Sequence, residues 1–201
     1  KNITTGEGGM LTCKDRKLAE IVKIMRLHGM SRDAWKRYMP DNTPKNLPYQ
    51  HYDILHTGLK YNMIDLNAAL GIKQLDKINY MWKKRKRLYD TYYNELKNYP
   101  IKLQNNYKYN YKHGYHLFLF VFDTNKFKQK NIRDIFLKYL NENKIGGGVH
   151  YRSVTNMKNY KSLFNWNKKT CPNAHQIGDS IVSLPLYPGL SLIDQKYIIE
   201  K

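Results

Sequence analysis

Leu18, Ile21, Val22 and Met25 recur at the spacing of one helical stripe, and Asp15 stands just ahead of them as a capping residue. This pattern predicts a helix ended by Gly29, preceded by a short strand at "GGMLTC". A longer helix is predicted from near Asp65, with Leu66, Ala69, Leu70, Leu75, Ile78 and Trp82 on its buried side. It runs on through Leu88 and Tyr92 towards Leu96, and "NYP" at Asn98 to Pro100 stops it. "YHLFLFVF" is strand-length, and Ile132, Ile135, Phe136, Tyr139 and Leu140 mark an amphipathic helix. "GGGVHY" reads as a glycine turn leading into a strand. Pro172 suits a first helical position, with Ala174, Ile177 and Ile181 following at helical spacing. "SLPLYPG" is extended or turning, and "SLID" is a capping box that opens a last helix. Strand and helix alternate, so the fold class is α/β. The proline-rich residues 31–58 read as a long loop of the functional or mobile kind. The stop at Asn98 to Pro100 sets the expected domain boundary, giving 1–97 and 98–201.

Composition narrows the class. An apolar share of 41% over 201 residues supports a real core and argues against disorder. No apolar run is long enough to cross a bilayer, so no membrane partner is expected. The net charge of +19 has three readings: nucleic-acid binding, an anionic small substrate, or a Lys- and Asn-rich composition. The one dense cluster, "KKRKR" at Lys83 to Arg87, falls inside the long helical pattern and reads as a solvated face. No helix-turn-helix, zinc-finger or RNP pattern occurs, so nucleic acid ranks below the small substrate. Cys13 and Cys171 lie far apart, match no metal spacing, and read as core thiols of a reducing cytoplasm.

The opening "KNITTGEGG" is the stretch with candidate chemistry. A phosphate loop needs its Lys and Ser/Thr after the glycines, and a dinucleotide fingerprint needs a strand before them; neither holds. Two readings remain. One is a tight turn using glycine's positive φ. The other is a lysine amine that condenses with an aldehyde cofactor, with small residues beside it to admit a flat ring.

"KNITTGEGGMLTC", "LHGMSRDAW", "LKYNMIDLNAALGIKQL", "HLFLF", "IGGGVHYRSV" and "SLPLYPGLS" follow one another along the whole chain. Together they resemble the DegT/DnrJ/EryC1/StrS sugar-nucleotide aminotransferases. The nearest subgroup is similar to the enzymes that aminate UDP-linked 4-keto sugars, such as the one making 4-amino-4-deoxy-arabinose for lipid A. The resemblance implies a type I pyridoxal-phosphate fold: the end of the large αβα domain, with a long linking helix, then the small C-terminal α/β domain. It implies pyridoxal 5'-phosphate as cofactor, held on Lys1, the match to the family's cofactor lysine. Relatives that dehydrate sugars carry histidine there, so a lysine favours amino transfer. It implies that Asn62 reaches the cofactor phosphate of a neighbouring subunit, or caps the helix that follows. His150, with Tyr151 and Arg152 beside it, is implied near the sugar nucleotide, the alternative being an ordinary buried histidine. His28 and Lys60 are further lining candidates. A second histidine that the subgroup often carries is replaced here by Thr155 or Asn156, which leaves the sugar open.

The implied activity is amino transfer, from glutamate, to a UDP-, dTDP- or GDP-linked 4-keto sugar for surface polysaccharide or lipopolysaccharide. The implied setting is a cytoplasmic homodimer with shared sites. A neutral lysine amine is needed for the proton transfer, and desolvation near other cations favours one. Family members carry a whole half before this lysine, so the sequence is expected to be the C-terminal part of a larger enzyme, inactive alone. The alternatives are a non-catalytic relative acting as an interaction protein, and a basic nucleic-acid binder.

Overall fold

The computed structural model describes residues 1–31, 52–104, 111–127, 129 and 131–201. The expected loop at 31–58, with Trp35 and its three prolines, lies largely outside the described residues. The chain divides into two compact units, one of Lys1–Asn2 with Lys77–Lys201 and one of Ile3–Asp76.

In the Ile3–Asp76 unit, helix α1 (Arg16–Met25) begins where expected. Asp15 accepts hydrogen bonds from Lys17 N and Leu18 N, satisfying two of the free donors of the first turn. The apolar stripe behaves otherwise than expected. Leu18 and Ile21 are 45% and 47% exposed, and α1 buries no residue. "GGMLTC" forms no strand either, and Met10 and Leu11 stand in water. A strand needs a partner for its backbone groups, and among the described residues none pairs with this stretch. Helix α2 (Asp65–Leu96) has the expected bounds and crosses the division between the units. Its buried residues are Arg85, Leu88, Tyr89 and Tyr92. The predicted buried side is wrong for its first turns, since Leu66 is 79% exposed and Leu75 56%.

The other unit holds the core. Strands β1 (Ile101–Leu103), β2 (Phe118–Phe122) and β3 (Ile181–Leu184) form an antiparallel sheet in the order β1-β2-β3. Ile101 faces Phe122, and Phe120 faces Val182. Along β2 the burial alternates, with Phe118, Phe120 and Phe122 buried and their neighbours half-buried. Phe118 meets Tyr89 and Tyr92 of α2 at 5.1 and 4.9 Å between ring centres. Phe120 and Phe122 meet Phe136 of α3 (Ile132–Glu142) edge to face.

Helix α4 (Lys158–Phe164) is followed by α5 (Pro172–Ser180), which starts on its proline as predicted. Ile181 does not continue α5; it opens β3. "GGGVHY" gives one bridge, Gly148 with Ser183, rather than a strand. Helix α6 (Leu192–Glu200) opens on the expected capping box, with Ser191 Oγ accepting from Asp194 N at 3.0 Å. Gln195 on α6 donates to Leu88 O at 2.7 Å inside the core. Both cysteines are free thiols, and Cys13 is exposed rather than in a core. No helix among the described residues is long and apolar enough to cross a membrane.

Candidate functional site

The predicted residues fall into two sets, one in each unit. In the Ile3–Asp76 unit the opening is a turn on the start of α2. Gly6 has φ +78°, Thr4 N donates to Gln74 Oε1 at 3.3 Å, and Asn67 Nδ2 donates to Glu7 O at 3.0 Å. A Cβ on Gly8 would lie 2.5 Å from Thr5 Oγ1 and 2.9 Å from Met63 Cε, so a larger residue there would make these side chains shift.

His28, Lys60 and Asn62 are brought together in this unit. Leu27 bridges to Lys60, and His28 N donates to Leu59 O at 3.1 Å. Close approach makes that pairing possible: a Cβ on Gly58 would lie 2.1 Å from Gly29 N. Lys60 Nζ donates to Asn62 Oδ1 at 2.6 Å. Asn62 therefore presents its amide N–H beside an ammonium group, a donor pair suited to phosphate oxygens. Its Oδ1 goes to Lys60, and the helix-capping alternative finds no bond here.

In the other unit, Asn2 Nδ2 donates to Gly114 O, anchoring the start of the chain beside the segment that enters β2. Lys1 is exposed. It is close enough to His116 for its charge to act there. Burial first, then the positive charges of Arg85, Lys1 and His150, hold the His116 imidazole below its ordinary value. His116 Nδ1 and Asn2 Oδ1 are buried without a partner among the described residues.

Arg85 was expected on a solvated face and is buried instead. Its Nη1 donates to Leu186 O at 2.8 Å and His116 O at 3.1 Å, with Tyr115 O at 3.4 Å. Lys83, Lys84 and Arg87 of the same cluster are exposed as predicted. The helical period carries the signal: residue 85 lies three and four positions before Leu88 and Tyr89, on the inward stripe.

His150 is half-buried, and its Nδ1 lies 2.7 Å from Ser183 Oγ on β3. The Gly148–Ser183 bridge fixes that approach, with Ser183 N donating to Gly148 O at 2.8 Å. Tyr151 is 65% exposed and meets the His150 ring edge on at 4.9 Å. Arg152 is exposed, with Nη2 donating to Asn156 O at 3.4 Å. Lys1 and His150 thus share the surroundings of His116, which motif matching left out although "HLFLF" contains it.

The DegT/DnrJ/EryC1/StrS aminotransferase family profile matches residues 1–201. The chain belongs to that family. An uncharacterized protein of Methanocaldococcus jannaschii is 37% identical over 191 residues, which are 95% of this chain and 47% of the relative. The spore coat polysaccharide biosynthesis protein SpsC of Bacillus subtilis is 33% identical over 200 residues, all of this chain and 50% of SpsC. The chain spans about half the length of these curated relatives. Among solved structures, the apo form of the putative sugar aminotransferase Spr1654 from Streptococcus pneumoniae superposes with a TM-score of 0.80. It is 25% identical, and the match covers 100% of this chain and 47% of Spr1654. PseC, a Helicobacter pylori aminotransferase involved in pseudoaminic acid biosynthesis, shares the fold at 22% identity and a TM-score of 0.75, over 93% of this chain and 45% of PseC. The type I aminotransferase fold class expected for this DegT/DnrJ/EryC1/StrS member is thereby established.

Proposed function

We propose that the full-length protein is a pyridoxal-phosphate enzyme. It moves an amino group from glutamate to the keto carbon of a nucleotide-linked 4-keto sugar, for a surface polysaccharide or lipopolysaccharide. Family membership supports sugar amination, and Lys1, standing at the family's cofactor-lysine position, supports the cofactor. The primary amine at the family's cofactor-lysine position stands where its charge reaches His116, together with those of Arg85 and His150. Residues 1–97 would end the cofactor-binding domain and residues 98–201 form the small domain.

The residues fit the cofactor. Gly6 and Gly8 leave two positions of the turn after Lys1 without a side chain, and Lys60 with Asn62 offers a cationic donor pair for a phosphate. Pyridoxal phosphate, when bound, supplies a carbonyl that condenses with amines and a ring that takes up an electron pair. Lys1 Nζ would hold the cofactor and move the proton at the donor's Cα. His116, kept neutral, adds no further positive charge beside that amine. His150, set by Ser183, would orient the sugar, with Tyr151 against it and Arg152 towards the diphosphate. Asn62 would serve the cofactor of another copy, which would make the cytoplasmic enzyme a homodimer with shared sites, and His28 and Lys60 would line the substrate site.

The test is spectral and chemical. The full-length protein with cofactor should show a visible absorption band that borohydride bleaches, and should aminate a UDP-4-keto sugar with glutamate. A Lys1→Ala variant that keeps both the band and its borohydride sensitivity would defeat the assignment.

A further inference from the structure

Trp82, Arg85 and Asn2 grip one short segment of the chain. The carbonyls of residues 113–116, the approach to β2, all accept from side chains. His113 O accepts from Trp82 Nε1 at 2.7 Å, and Gly114 O from Asn2 Nδ2. Tyr115 O and His116 O accept from Arg85 Nη1 at 3.4 and 3.1 Å. Two of the gripping side chains come from α2, and the third belongs to the residue next to Lys1. All of them lie in the unit of Lys1–Asn2 and Lys77–Lys201.

The strap is fixed by its own residues as well. Tyr115 has φ +48°, a left-handed conformation uncommon for a bulky side chain, which persists only where the surroundings impose it. Here Tyr115 N donates to His113 Nδ1 at 3.0 Å. The Tyr115 ring lies against His113, Tyr89 and Trp82 at 4.6, 5.1 and 5.7 Å between ring centres, and Tyr89 belongs to the core. Gly114 O is therefore offered to Asn2 from a rigid support.

Asn2 uses only half of its amide there. Its Oδ1 is buried without a partner among the described residues, as is His116 Nδ1. Burying an idle amide oxygen is unfavourable, and an apolar side chain would fill the place without that penalty. Stability alone does not account for an asparagine at this position. What the Nδ2 bond supplies is a fixed course for the chain at residue 2, and with it a fixed origin for the side chain of Lys1. A long side chain on a loose backbone spreads its amine over many positions; the same side chain on a pinned backbone spreads it over few.

We propose that Asn2 is a positioning residue for the Lys1 amine, and that the strap 113–116, held by Trp82 and Arg85, is the support against which it works. The proposal rests on the reading of Lys1 as the cofactor lysine. Asn2 acts through residue 1, by narrowing where Nζ stands, and not on the substrate.

The experiment adds pyridoxal phosphate to the full-length apoprotein and follows the rate at which the borohydride-sensitive visible band appears. Affinity for pyridoxamine phosphate is measured alongside by calorimetry. That compound lacks the carbonyl and needs no bond to a lysine, so it reports the rest of the cofactor site. Asn2→Ala should slow the band about tenfold or more while changing pyridoxamine phosphate affinity less than about twofold. Asn2→Asp keeps the shape but loses the donor to Gly114 O, and should be as slow. Trp82→Phe keeps a ring but frees His113 O, and should slow the band about threefold. The proposal is overturned if any of the three variants forms the band at the wild-type rate. It is also overturned if pyridoxamine phosphate affinity falls in step with the rate, which would make Asn2 a residue of the fold alone. A wild-type protein without a bleachable band overturns the cofactor-lysine reading itself, and this proposal with it; a wild-type band that Asn2→Ala forms just as fast overturns this proposal only.

Discussion

Arg85 Nη1 donates to Leu186 O at 2.8 Å, joining the middle of α2 to the chain just after β3 across 101 positions. The guanidinium is 9% exposed, and the described residues give it carbonyl partners rather than a carboxylate. Arg85→Met should therefore leave those oxygens unpaired and cost about 3 kcal/mol of stability. Arg85→Lys should recover only part of that, because an ammonium group lacks the planar fork. Urea unfolding of the three proteins checks both, and an unchanged Arg85→Met midpoint would refute the role.

His116 gives the fold an acid limit. Its imidazole is held below the ordinary value, chiefly by burial, so the unfolded chain binds the proton more readily. That contribution is fully present above the unfolded value, about 6.5, and is lost as pH falls below it. His116→Phe should flatten the fall in urea midpoint between about pH 7 and pH 5. An equal slope in both proteins would remove His116 as the cause.

Tyr89 sets an alkaline counterpart. Burial pushes its hydroxyl up to about 12, and Tyr92, fully buried and donating to Pro185 O at 3.1 Å, moves the same way. Stability is fully present below the unfolded value, about 10, and is lost as pH climbs above it. Ultraviolet titration should show these two phenols ionising later than the chain's exposed tyrosines. Tyr89→Phe should be more resistant to alkaline unfolding than the parent.

Ser183 is a positioning residue for His150. Ser183→Ala removes the oxygen 2.7 Å from Nδ1 and frees the ring to turn. On the proposed reaction, KM for the nucleotide sugar should rise roughly five- to tenfold, with kcat much less affected. A fall in kcat with KM unchanged would place His150 in the chemistry rather than in binding.

Local signals in the sequence proved accurate where local physics decides. Asp15, Pro172 and Ser191 open helices because the free N–H groups of a first turn accept few other solutions. That His28, Lys60 and Asn62 come together was not legible, because it depends on Gly29 and Gly58 letting two segments touch. Burial was less legible. Periodicity identifies an apolar face and does not say what covers it, so Leu66 and Leu75 were read inward while Arg85 was read outward. His116 and the surroundings of Lys1 depend on contacts between segments more than a hundred positions apart, which no window on the chain can contain.

The leucine rail on the opening turns of α2 has a practical side. Leu66, Leu70 and Leu75 are 79%, 41% and 56% exposed, and Leu18 and Ile21 of α1 are no better hidden. Water tolerates so much hydrocarbon poorly. A preparation of residues 1–201 by itself should light up hydrophobic dyes, cling to surfaces and grow turbid on concentration, and mild detergent should suppress all three.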